Sequence, residues 1–113
     1  MTRLTVSMPM LNTPLGDLPA MARLAENARF DGVWSYEFWR NPYIGLAGPA
    51  LDTSEITLGT AIGAAFSRTP WDVANQAADV DELSDGRFVL GLGTGAPEFL
   101  GTFHGLDFPS RPL

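Results

Sequence analysis

Glu37 is the residue whose type and position point most directly to chemistry. It follows the β-favouring run Trp34-Ser35-Tyr36, so its carboxylate should emerge where a strand ends. There it could accept hydrogen bonds from a bound molecule or move a proton. A structural reading competes: Glu37 pairs with Arg40 or Arg68 and only fixes its own loop. Trp34, Trp39 and Trp71 could wall a flat apolar slot, although a strand-borne Trp34 suits ordinary core packing better. Gly91-Leu92-Gly93-Thr94-Gly95-Ala96 fits the loose pattern G-x-G-x-x-G/A, in which backbone N–H groups approach a phosphate. The acidic residue that this pattern needs about 20 positions further on would fall past Leu113. The same glycines also suit a strand end that must turn tightly. His104 is the only histidine, has no acidic partner in view along the chain, and is expected to be structural or solvent-facing. Asp72, Asp79, Asp81 and Glu82 read as a solvated helix face and not as a metal-ligand set.

The elements that must position these residues alternate regularly. Arg3–Met8 reads as a strand stopped by Pro9. A helix capped by Asp17, with Pro19 in its first turn, should run to about Arg29 and bury Leu18, Met21, Ala22, Ala25 and Ala28. Gly32–Tyr36 is a second strand. Asn41-Pro42 can start a second helix, which Gly45, Gly48 and Pro49 should shorten or kink. Glu55–Ile62 is a third strand. Thr69-Pro70 opens a third helix burying Val73, Ala77, Val80 and Leu83, with Gly86 as its C′ residue. Arg87–Leu92 is a fourth strand, and a helical turn is expected around Pro97–Gly101. Apolar strands alternating with helices predict an α/β fold built on a parallel sheet. Ligands in such folds bind at the C-terminal strand ends. That rule selects Met8–Met10, Glu37–Trp39, Ala61–Arg68 and Gly93–Glu98. Periodicity does not separate a doubly wound sheet from a barrel segment.

Composition narrows the partners. Seven Arg and no Lys stand against 13 acidic residues, a net charge of −6 with no basic cluster. That argues against a nucleic acid or an anionic membrane surface as partner. With no Cys, disulfides and thiolate sites are excluded. There is neither a signal-peptide pattern nor an apolar run near the roughly 20 residues of a spanning helix, so a cytoplasmic location is expected.

The run from Ile56 to Gly95 resembles the bacterial luciferase-like monooxygenase family. The resemblance is carried by LGTAI (58–62), Arg68-Thr69-Pro70, the segment DELSDGRF (81–88) and VLGLGTG (89–95), with FDGVWSYEFW (30–39) matching the second-strand region. It implies a TIM-type (β/α)8 barrel and an oxidoreductase that reduces or oxygenates a small organic substrate through F420 or FMN. The motifs EFW (37–39) and AFSRTP (65–70) look more like the F420-using branch, so F420 is preferred. The implied cofactor-binding residues are Glu37, Ala61, Ile62, Thr94 and Gly95, with a non-prolyl cis peptide at Ala61–Ile62; no catalytic residue is assigned. Phe38 stands where several members carry His, and Ala96 where those members place a catalytic Glu, so their mechanism does not carry over. A complete barrel needs about 250 residues. The 113 residues are therefore expected to be the N-terminal portion, about four βα units, with Pro109–Leu113 leading into the next element. Such a piece should be inactive alone and prone to self-association through open strand edges. The alternatives are a small doubly wound NAD(P)-binding domain and an inactive half-barrel.

Overall fold

The computed structural model describes residues 2–107; Met1 and residues 108–113, which include the expected lead into a further element, lie outside the described residues. Four strands form one parallel sheet: β1 (Thr5–Ser7), β2 (Gly32–Ser35), β3 (Thr57–Thr60) and, fifth in chain order, β5 (Phe88–Val89). Their spatial order is β1-β2-β3-β5, the order of the chain itself. A doubly wound sheet reverses its strand order part-way. A barrel wall does not, so the order decides for the barrel-type fold over the doubly wound alternative.

Three helices connect these strands: α1 (Leu18–Asn27), α2 (Ile44–Asp52) and α3 (Pro70–Leu83). They cover one sheet face, α1 against α2 and α2 against α3. Val33 and Leu58 are opposite each other in the register and, with Phe88 beside Leu58, they meet this helical layer. The core they share includes Met8, Leu18, Ala22, Leu46, Ala50 and Val80. The other face carries Trp34, whose ring lies over Gly59. No helix among the described residues is long and apolar enough to cross a membrane.

Several boundaries differ from expectation for local reasons. Asp17 makes no capping hydrogen bond, because a 3-10 turn over Leu15–Asp17 leads straight into α1 and puts Asp17 in helical φ/ψ. Met21 and Ala28 are exposed in α1, as is Leu83 in α3, and Ala77 is only half-buried. The buried stripes are narrower because each helix is covered on one side only. Gly86 is not the C′ residue of α3: Asp85 takes that place at φ 53°, and Gly86 N–H closes the motif on the Asp81 carbonyl at 2.9 Å. Helix α1 ends the same way, with Arg29 at φ 65° and Phe30 N–H on the Ala25 carbonyl. Helix α2 begins three residues after Asn41, whose side chain accepts from the N–H groups of Tyr43 and Ile44. Its Gly48 gives α1 room, since a Cβ there would lie 2.7 Å from Pro19 Cγ.

Two charged side chains join the elements at the N-terminal end of the sheet. Arg87 uses all five of its guanidinium N–H groups. They reach the carbonyls of Ser84, Ile56, Ala50 and Thr53 and the Thr53 hydroxyl, at 2.7–2.9 Å. This single group ties the ends of α2 and α3 to the start of β3. The Glu26 carboxylate accepts from the backbone N–H groups of Ser54, Glu55 and Ile56. Burial pulls the Glu26 pKa upward, but those three donors and the Arg87 charge outweigh it and hold it below the ordinary 4.5.

Arg87→Lys keeps the charge and loses the fork, so urea unfolding should show a loss of about 2–4 kcal/mol. For Glu26 the sign follows from its lowered folded-state pKa. Its contribution is fully present above 4.5 and is lost as pH falls through the lower folded value. Melting temperature should therefore drop between neutral pH and about pH 3. Glu26→Gln should be less stable at neutral pH and show a flatter profile; parallel profiles would remove Glu26 from the linkage.

Candidate functional site

Strands three and four are each interrupted near their C-terminal ends and resume as β4 (Gly63–Ala64) and β6 (Leu92–Gly93), a second parallel pair. The Thr60 hydroxyl fills the gap in the ladder: it accepts from Gly91 N–H at 2.9 Å and donates to the Gly91 carbonyl at 2.8 Å. Only glycine fits at 91, because a Cβ would overlap the Thr60 carbonyl oxygen. The third strand expected over 55–62 thus ends at Thr60, with β4 lying just beyond its expected end, and the fourth expected over 87–92 breaks after Val89, because this side-chain bridge takes over where the backbone bonds stop. Between β3 and β4 the Ala61–Ile62 peptide is cis, as the resemblance implies. Ala61 and Thr94 are exposed, and Ile62 and Gly95 are half-buried. Together they line a ledge along the strand ends, small at Ala61, Thr94 and Gly95, with the bulkier Ile62 lying against Gly93.

Glu37 stands beside this ledge and holds it. Its N–H donates to the Ile62 carbonyl at 2.9 Å. Its side chain is only 3 % exposed and receives Ala64 N–H at 2.7 Å and both contacts of Arg68 Nη1 at 2.8 Å. The Ser67 hydroxyl lies 3.0 Å from both Glu37 Oε1 and the Ala64 carbonyl. The pairing with Arg68 weighed from the sequence is therefore present, and it fixes two loops at once, 37–41 and 61–68. Ser35, buried under the first of them, donates to the Pro42 carbonyl at 2.9 Å and folds that loop back over the sheet. Asn41 Nδ2 reaches Gln76 Oε1 on α3 at 3.2 Å.

His104 is exposed, in line with the solvent-facing role expected, but it does have an acidic neighbour. It closes helix α4 (Pro97–His104), longer than the turn expected, and its Nε2 lies 4.0 Å from Glu37 Oε1. An ion pair forms there only when the ring is protonated. The signal was invisible along the chain because Glu37 and His104 meet only when α4 folds back onto the loop that follows β2. Phe99 docks that helix: its ring stacks on Phe38 at 5.2 Å and 15°, and Phe38 stacks in turn on Trp39 at 5.2 Å and 21°. The three tryptophans do not converge on one slot. Trp34 stays on the sheet, Trp71 is exposed at the start of α3, and only Trp39 borders the cavity beside Glu37. That cavity measures about 450 Å³, and Arg40, Asn41, Arg68 and Phe103 also line it. None of Ala61, Ile62, Thr94 or Gly95 does, so ledge and cavity are two surfaces sharing Glu37.

Sequence reasoning also passed over Tyr43. It is buried, Arg68 sits over its ring at 5.5 Å, and its hydroxyl has no hydrogen-bond partner among the described residues. Burial pushes its pKa up, with Arg68 opposing and Glu37 adding to the rise.

This architecture has known counterparts. The family model for luciferase-like monooxygenases matches residues 2–112, and the chain belongs to that family. A Mycobacterium tuberculosis protein provisionally assigned as a coenzyme F420-dependent oxidoreductase is 39 % identical over 90 residues, 79 % of this chain and 26 % of the relative. The F420-dependent tetrahydromethanopterin reductase of Methanopyrus kandleri superposes with a TM-score of 0.83 at 25 % identity, over 94 % of this chain and 30 % of the reductase. The oxygenating constituent of the Pseudomonas putida 3,6-diketocamphane monooxygenase, solved with FMN, has the same fold; its TM-score is 0.80 at 20 % identity, over 94 % of this chain and 33 % of its own. The chain spans about a quarter of the length of the curated relatives it matches.

The Glu37–Arg68 pair gives a double-mutant test. Glu37→Gln should cost about 2–4 kcal/mol in denaturant unfolding, since it leaves the Arg68 charge poorly paired in a part-buried site. Glu37→Gln combined with Arg68→Met should cost clearly less than the two single changes added together. Additive losses would show that the pair is not coupled.

Proposed function

We propose that this chain forms part of the cofactor site of an F420- or FMN-dependent oxidoreductase acting on a small organic molecule, with F420 preferred. The observation that carries the reading is the Glu37 carboxylate on Ala64 N–H, which locks the strand-end ledge beside a cavity. The position is where barrel enzymes bind their ligands. The 39 % identical relative provisionally assigned to F420 supports the cofactor class.

The residues present suit a flat ring. Exposed Ala61 and Thr94, with Gly95 beside them, keep the ledge low, and its one bulky side chain, Ile62, lies against Gly93. A planar heterocycle can therefore approach the backbone closely, as small residues allow. The Thr94 hydroxyl makes only a 3.3 Å contact with the Gly95 carbonyl and is free to turn toward a bound group. In this reading Ala61, Ile62, Thr94 and Gly95 contact the cofactor, and Glu37 holds Ala64 and Ile62 in place beneath it. The bound cofactor supplies a two-electron carrier, which no side chain of this protein provides. The protein's part is to position that ring and to keep water from its covered face.

Titration of F420 and of FMN, followed by fluorescence, tests the reading on the chain itself. Saturable binding with F420 tighter than FMN is expected. Glu37→Ala should weaken it by about 1–3 kcal/mol, with circular dichroism confirming that the variant is folded. Tighter FMN binding would reverse the preference. Absence of binding by either cofactor would overturn the assignment.

A further inference from the structure

The cavity beside Glu37 has a charge and shape of its own. Glu37 and Arg68 neutralise each other across 2.8 Å. Arg40 also lines the wall, and among the described residues no hydrogen bond or ion pair to its guanidinium is found. A guanidinium without a partner at a cavity wall is answered best by a carboxylate, which can take two of its N–H groups at once. The chain as a whole carries −6, so general electrostatics repel an anion. An anion held here is held by the local site.

Much of the remaining lining is aromatic. Trp39 is 63 % exposed and Phe103 58 %, although Phe38 and Phe99 already stack behind them. Large rings left in water beside a cavity offer a stacking surface for another ring. A volume of about 450 Å³ lies within the usual range for small-molecule sites.

We infer that this cavity binds a flat, unsaturated carboxylic acid, its ring on Trp39 and Phe103 and its carboxylate on Arg40. The inference rests on the proposed oxidoreductase function, for which it names the class of the second substrate. Ledge and cavity share Glu37, so a molecule held this way lies next to the cofactor surface and does not overlap it.

The test uses 2-naphthoate and its uncharged analogue 2-naphthamide as probes, with isothermal titration of the whole chain. Naphthoate should bind saturably at one site and at least about tenfold more tightly than the amide. Arg40→Gln should weaken naphthoate by about tenfold or more while changing the amide less than about twofold. Arg40→Lys, which keeps the charge but not the fork, should fall between. Trp39→Ala should weaken both probes. Thermal melts of each variant separate lost contacts from lost folding. Equal affinity for the two probes, an Arg40→Gln variant that binds naphthoate normally, or no saturable binding would overturn the inference. Competitive displacement of naphthoate by F420 or FMN would also overturn it, by assigning the cavity to the cofactor. Cofactor binding without naphthoate binding sinks the substrate class alone, whereas naphthoate binding without cofactor binding sinks the oxidoreductase reading on which it rests.

Discussion

A carboxylate withdrawn from water must find donors to replace it, and the loops at the strand ends are arranged around that requirement at Glu37. Its two oxygens collect a backbone N–H from β4, a guanidinium from the loop before α3 and a contact with the Ser67 hydroxyl. Neutralising a buried charge from several sides is what makes it structurally useful. Each donor is pinned where the carboxylate needs it, and all three belong to the one connection from β3 to α3. The ledge and the cavity both inherit their shape from this one group.

The second constraint is the approach of strands three and four. Parallel strands ordinarily hold each other by an even ladder of backbone bonds. Here the ladder stops after Val89, and the Thr60 hydroxyl carries the connection across to Gly91 before it resumes at Gly63 and Leu92. The step sets β4 and β6 apart from the main sheet as a separate pair; Ala61 and Ile62 sit at this break, and Thr94 and Gly95 follow directly after β6.

What the sequence made legible was whatever rests on local rules. The alternation of apolar runs and helical stripes foretold the order of elements. Asn41 and Thr69 behave as caps because an Asx or Thr oxygen followed by Pro leaves little else for the first turn to bond. The family motif carried the Ala61–Ile62 placement, which no propensity argument would have found. The failures were of another kind. Asp17 lost its cap to a preceding 3-10 turn, and Asp85 displaced Gly86 because a left-handed Asp is tolerable where its neighbour closes the motif. Phe38, Phe99 and His104 gather only through the folding-back of α4, and Glu26 finds its amides 28 to 30 residues away. Contacts of that range leave no periodic trace.

The two ends of the sheet differ in what they recognise. Glu37 depends partly on side chains, Ser67 and Arg68, so the top of the sheet must keep several residue types together. At the opposite end Glu26 bonds backbone amides, and four of the five Arg87 bonds go to backbone carbonyls. Main-chain groups are the same whatever side chain they carry. The exposed positions 54 and 55 can therefore exchange side chains over evolutionary time without breaking the anchor, provided Glu26 and Arg87 stay, whereas burial still restricts positions 50, 56 and 84. Mutational tolerance is thus spread unevenly along the strands, with a floor that permits drift under a rim that must change in concert.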